Sequence, residues 1–126
     1  MKIKNLLLFI LLTFVPFIAS AEVFQFSVCT YKDGKSIGDV QAWLEDWRGL
    51  VKREGKQYEL KLLTANAGSH KLKPGSQFAL LGNTPTLTTY GDGWDFWYGA
   101  KAAEQSRTTL QSLASCSANS IWVSTD

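Results

Sequence analysis

Phe24–Trp47 reads FQFSVCTYKDGKSIGDVQAWLEDW. It opens with alternation: Phe24, Phe26 and Val28 fall on one side, Gln25, Ser27 and Cys29 on the other. Period two with aromatic and β-branched residues predicts a half-buried strand over Val23–Thr30. Tyr31-Lys32-Asp33-Gly34-Lys35 predicts a turn, with Asp-Gly as its breaker. Ser36 suits an N-cap, and Asp39 at N3 places a carboxylate at the positive helix end. Val40, Trp43, Leu44, Trp47 and Val51 then recur at helical spacing, with Glu45, Asp46, Arg48, Lys52 and Arg53 mostly off that stripe. The pattern predicts a helix from Ile37 to about Glu54, stopped by Gly55 as the C′ residue.

Downstream, Gln57–Ala65 predicts a second strand, with Tyr58, Leu60, Leu62 and Thr64 on one face. Gly68, Ser69, Pro74 and Gly75 mark Ala67–Ser76 as a loop. Gln77–Leu81 predicts a third strand, with Phe78 and Leu80 sharing a face. Thr84-Pro85 has the form of a helix start, a capping threonine before proline at N1. One short helical turn over Thr86–Tyr90 is expected, broken by Gly91-Asp92-Gly93. Ala100–Cys116 is helix-tolerant, with Ala103, Arg107, Leu110, Leu113 and Ala114 as a modest stripe. Asn119–Thr125, with Ile121, Trp122 and Val123, closes the chain as a strand.

Upstream lies a targeting signal. Lys2 and Lys4 precede the apolar run Leu6–Ile18, which is too short to span a bilayer comfortably, and Ala19-Ser20-Ala21 is a small-x-small cleavage site. Residues 1–21 are therefore expected to be a signal peptide and residues 22–126 one exported domain, periplasmic or secreted, with no membrane attachment after cleavage. The full chain has 13 Lys+Arg against 11 Asp+Glu. Losing Lys2 and Lys4 leaves 11 against 11, and no basic cluster remains to bind a phosphate backbone, so nucleic acid is not an expected partner. Cys29 and Cys116 are the only cysteines and both lie beyond the signal. An even count after export predicts a Cys29–Cys116 disulfide. It would close most of the domain into one loop, constraining the unfolded state by about 4–5 kcal/mol in the chain-entropy model.

The predicted order is β-α-β-β-α-β with a short extra helix after the third strand. This is an α+β chain: a four-stranded antiparallel sheet with helices on one face. In the usual strand order of that topology the last strand lies antiparallel beside the first. That order brings Cys29, at the end of strand one, to Cys116, just before strand four.

Tyr31-Lys32-Asp33-Gly34-Lys35, followed by a helix carrying Trp43 and Trp47, resembles the entry into the first helix of the dimeric α/β-barrel superfamily, especially its NIPSNAP-like and EthD-like members. Thr84-Pro85 and the aromatics of Trp94–Tyr98 resemble the segment between third strand and second helix in the same group. The resemblance implies a ferredoxin-like βαββαβ fold and a homodimer whose two sheets form a barrel. It also implies a pocket between sheet and helices. Some relatives are monooxygenases or isomerases. The signal peptide and the disulfide depart from the cytoplasmic, cofactor-free oxygenases of that group.

The chemistry-bearing residues are few. His70 could serve as a base near neutral pH, but it stands alone in a polar loop, and a solvated histidine is the simpler reading. Zinc sites need about four ligands, and one histidine with two paired cysteines supplies no such set, so neither metal nor cofactor is expected. Trp94, Trp97 and Tyr98, together with the carboxylates of Asp92 and Asp95, could line the mouth of a pocket for a small apolar or aromatic ligand. The plainer reading is that they cover a small core or a dimer seam. Trp43 and Trp47 sit on a helical stripe and read as core. If the protein were an enzyme, His70, Tyr31 and Asp95 would be the catalytic candidates. The reading preferred on sequence is a non-catalytic exported module that binds a small ligand or a partner. The alternative is a cofactor-independent oxygenase or isomerase acting on a small aromatic compound.

Overall fold

A computed structural model describes residues 21–66 and 72–125, except the side chains of residues 118 and 119. Residues 1–20, all but the last residue of the expected signal peptide 1–21, and His70 lie outside the described residues. The elements are β1 (Val23–Tyr31), α1 (Ile37–Arg53), β2 (Glu59–Thr64), β3 (Gln77–Thr84), α2 (Leu87–Gly99), α3 (Lys101–Leu113) and β4 (Ala114–Val123). The strands form one antiparallel sheet in the order β2-β3-β1-β4. The chain is α+β with a ferredoxin-like arrangement, and its helices cover one face of the sheet.

The α1 helix follows its sequence closely. The Ser36 backbone N–H donates to Asp39 Oδ2 at 2.8 Å and the Ser36 hydroxyl donates to the same atom at 2.9 Å. These bonds hold the Asp39 carboxyl below its ordinary range. Gly55 ends the helix with φ +64°, a left-handed conformation that costs glycine nothing sterically. Val40, Trp43, Leu44, Trp47 and Val51 are all buried against the sheet.

The alternation in β1 resolves in an unexpected direction. The side that faces the helices carries Val23, Gln25, Ser27 and Cys29, and Cys29 belongs to the buried core with Phe78, Leu60 and Leu80. Phe24, Phe26 and Val28 lie on the opposite face, half-buried. Cross-strand register adds Leu81 beside Phe26 and Trp122 beside Phe24 on that face, and Leu63 lies there too, beside Ala79. Trp122 is 65 % exposed. The open face thus carries an apolar strip of Phe24, Phe26, Val28, Ala79 and Leu81 with Trp122 at the β4 edge, flanked by Asn83, Lys61 and Ser120.

Cys29 and Cys116 are directly opposed in the β1–β4 register and joined by a disulfide. Cys116 lies inside β4, not before it. The last strand begins at Ala114, earlier than the sequence pattern indicates, because α3 stops at Leu113, whose carbonyl accepts from the Lys32 backbone N–H at 2.9 Å. Pairing with β1 then takes over at Ala114 opposite Tyr31, and the register shifts once between Ser27 and Val28.

The segment after β3 also differs from the sequence expectation. β3 extends to Thr84, which is fully buried and donates through Oγ1 to the Thr86 carbonyl at 3.2 Å. The helix cap is therefore Thr86, not Thr84. Its Oγ1 accepts from the Thr89 N–H at 3.1 Å, and Thr89 Oγ1 accepts from the Thr86 N–H at 3.0 Å. This reciprocal pair satisfies two otherwise orphaned donors. From there α2 runs straight through Gly91-Asp92-Gly93 for 13 residues. The extra helix is full-length rather than a single turn, so the order is βαββααβ. Glycine weakens an isolated helix, but packing decides here: Gly93 is buried, and a Cβ on it would stand 3.0 Å from Tyr58 Cδ2.

A single extended residue, Ala100, separates α2 from α3. Arg107 of α3 donates to the Trp97 carbonyl near the end of α2, where a cation suits the helix dipole. Trp43 Nε1 donates to Ser106 at 3.0 Å, tying α1 to α3. Among the described residues no helix is long and apolar enough to cross a membrane.

Candidate functional site

A cavity of about 270 Å³ lies between the helices and the sheet. Its walls are aromatic. Trp43 and Trp47 come from α1, and Trp94, Trp97 and Tyr98 from α2. Leu60 and Leu80 contribute from the sheet, and Cys116 places one end of the disulfide in the wall. Trp47 is the hub of this cluster. Its ring meets Trp97 edge-on at 5.0 Å, Tyr58 edge-on at 6.3 Å and Phe96 at 6.0 Å, and it stacks near Trp43 at 6.4 Å. Trp94 and Tyr98, one helical turn apart, stack at 4.9 Å. Tyr98 is 60 % exposed, so this pair forms the rim where the cavity meets solvent.

The floor is polar. Gln25 and Ser27 project from β1 on its helix side and line the cavity. The Tyr58 hydroxyl donates to Gln25 Oε1 at 3.1 Å, and Gln25 Nε2 donates to Ser27 Oγ at 3.4 Å. Burial, with a smaller contribution from the nearby Tyr90, holds the Tyr58 phenol well above its ordinary value of 10.0. Tyr58 therefore stays neutral and acts as a donor near neutral pH. It can sit there because β3 and α2 present glycines: Gly82 and Gly93 both face its ring.

Trp47 carries a buried indole N–H with no hydrogen-bond partner among the described residues. The described lining holds no Asp, Glu, Lys, Arg or His. Chemically the described lining offers stacking faces and neutral hydrogen-bonding groups.

Of the residues singled out on sequence, Trp94, Trp97 and Tyr98 come together in this lining. Asp92 does not join them; it borders an adjoining recess of about 180 Å³ with Lys56, Gln57 and Thr89, which shares Tyr58 and Gly93 with the cavity. Asp95 is exposed and lines neither space. Tyr31 packs on Phe78 with ring centroids 4.8 Å apart, away from the lining, and burial raises its pKa. His70 is outside the described residues. Sequence reasoning missed Gln25, Ser27 and Tyr58. The available signal was that Gln25 and Ser27 share a face with Cys29, and that Tyr58 shares one with Leu60 and Leu62. Among the described residues no group of three or more His, Cys, Asp or Glu is placed to hold a metal ion.

No protein-family model matches the sequence, and no curated protein sequence matches it. Solved structures do match in shape. SnoaB, a cofactor-independent oxygenase from Streptomyces nogalater, superposes with a TM-score of 0.61 at 8% identity, covering 84% of this chain and 95% of that one. The hydroxynitrile lyase of Passiflora edulis gives 0.56 at 12% identity, covering 85% and 96%. A dimeric ferredoxin-like protein of unknown function from Thermobifida fusca gives 0.52 at 6% identity, covering 86% and 94%. The fold is ferredoxin-like. At these identities the likeness carries the fold and not the activity.

Proposed function

We propose that this is an exported, disulfide-stapled module that binds a small apolar or aromatic ligand, and that it works as a homodimer closed across the open sheet faces. The observation that carries the binding reading is the cavity: tryptophan and tyrosine walls without a charged residue in the described lining. Its volume lies just under the common range for ligand pockets and well above the roughly 150 Å³ apolar cavity that accepts benzene, which suits one or two rings. Export is supported by the leader sequence and by the disulfide, which persists in oxidising compartments. The dimer is supported by Phe24, Phe26, Leu81 and Trp122 on the face away from the described helices. The closer likeness to NIPSNAP-like and EthD-like proteins belongs to this reading, through Tyr31–Lys35 and the Trp43/Trp47 helix.

The alternative is a cofactor-independent oxygenase or isomerase acting on a small aromatic compound. The fold shared with the Streptomyces oxygenase favours it. It needs a proton acceptor in the cavity, and among the described lining residues only Tyr58 and Tyr98 ionise at all.

The test is titration of the disulfide-bonded protein with naphthalene and coumarin, followed by ligand-observed NMR. Saturable binding is expected, weakened at least fivefold in Trp94→Ala with little change in thermal stability, because Trp94 is a partly exposed rim residue. If neither compound binds saturably, the ligand-binding reading fails. Oxygen uptake or isomerisation of the bound compound would transfer the case to the enzyme reading.

A further inference from the structure

The polarity of the cavity floor narrows the ligand class, given the binding reading above. Gln25 is a polar side chain on the helix-facing side of a central strand, a place where apolar residues are the rule. Tyr58 is neutral and donates its hydroxyl hydrogen, which turns the Gln25 amide so that its oxygen faces Tyr58 and its nitrogen faces Ser27. The amide nitrogen has two hydrogens. One goes to Ser27 Oγ, and the described residues supply no acceptor for the other. Trp47 adds its buried, unpartnered N–H to the same lining. What the cavity has to spare is donors.

We propose that the cavity selects an uncharged, flat compound of one or two rings bearing a carbonyl or ring-nitrogen acceptor, seated with that acceptor against the Gln25 amide and its rings among the tryptophans. The chemistry excludes the neighbouring classes in turn. A carboxylate would be desolvated with no cation in the described lining to receive it. A cation would find aromatic faces but meet donor hydrogens at the floor. A pure hydrocarbon would leave the Gln25 and Trp47 hydrogens without an acceptor and forgo that bond.

Four probes of similar size separate these cases on the unmodified disulfide-bonded protein: coumarin, naphthalene, 2-naphthoate and N-methylquinolinium. Coumarin is expected to bind about 3–10-fold tighter than naphthalene, the ratio one neutral hydrogen bond supplies, and tighter than either ion. The coumarin carbonyl stretch should shift to lower frequency on binding. In Gln25→Met, of similar length but without donors, the ratio of coumarin to naphthalene affinity should shrink, because coumarin loses a donor and naphthalene no longer leaves an amide hydrogen unpaired. Trp47→Phe keeps a ring and removes the N–H, and should cost coumarin more than naphthalene. Naphthalene matching coumarin, an ion binding best, or an unshifted carbonyl stretch overturns this inference while leaving a ligand-binding cavity in place. Binding of none of the four removes the binding reading itself. If Gln25→Met does not fold, the four-probe ranking and the carbonyl stretch still decide the matter.

Discussion

A methyl group at position 82 would place its carbon 2.3 Å from the Tyr58 hydroxyl oxygen and 2.8 Å from Tyr58 Cζ. Gly82 and Tyr58 therefore form one unit: the strand gives up a side chain so that the ring can reach Gln25. Gly82→Ala should displace the ring, break the bond to Gln25 and cost about 1–3 kcal/mol, the usual range for overpacking. Urea denaturation measures it. Combining Gly82→Ala with Tyr58→Val should cost clearly less than the sum of the two single changes. Strict additivity would show that the two residues do not compete for that space.

Reduction of the disulfide, or replacement of both Cys29 and Cys116 by alanine, should lower stability by about 2–5 kcal/mol. Denaturation curves with and without reductant check this. Identical curves would mean that the β1–β4 pairing already constrains the chain as fully as the bond does.

Stability should fall at alkaline pH. The unfolded Tyr58 phenol ionises near 10.0, and burial keeps the folded one protonated beyond that. Above pH 10 the unfolded chain releases a proton that the folded chain retains, so rising pH favours unfolding, by up to about 1.4 kcal/mol per pH unit for one such group. Below that pH the group contributes no slope. Tyr31 and Tyr90 are raised in the same direction, chiefly by burial, so Tyr58→Phe should reduce the alkaline loss without abolishing it. Melting curves between pH 8 and 11 would show it, and an unchanged slope in Tyr58→Phe would contradict the assignment.

Phe26→Glu or Trp122→Lys should convert the proposed dimer to a monomer, read by sedimentation velocity. Both side chains lie on the face away from the helices, so the cavity and the far-UV spectrum should survive. A wild-type protein that sediments as a monomer at all concentrations would leave that apolar face without its proposed occupant.

How far the sequence was legible depends on the range of the forces involved. The α1 boundaries were readable because Ser36, Asp39 and Gly55 act on their own backbone. The faces of β2 and β3 were readable because alternation is local. Cys29 and Cys116 could be paired because the domain has no others. The α2 helix was not readable: Gly91-Asp92-Gly93 breaks an isolated helix, and Gly93 is explained only by Tyr58, which arrives from the residue just before β2. Nor was it readable that Phe24 and Phe26 turn away from the helices. Alternation separates two faces but does not say which one the helices cover. The polar floor followed from that same choice, so Gln25 was passed over.

The covalent bond between β1 and β4 makes the two margins of the sheet unequal in time. β2 and β4 are the edge strands, but only β4 is chained to its neighbour. β2 is short, and part of its hold is Arg48 Nη2 donating to the Leu60 carbonyl at 3.1 Å. Transient opening should therefore begin at β2, and its amides should exchange with solvent deuterium before those of β4 around Cys116. Because Tyr58 immediately precedes β2, the same fraying would loosen the cavity floor.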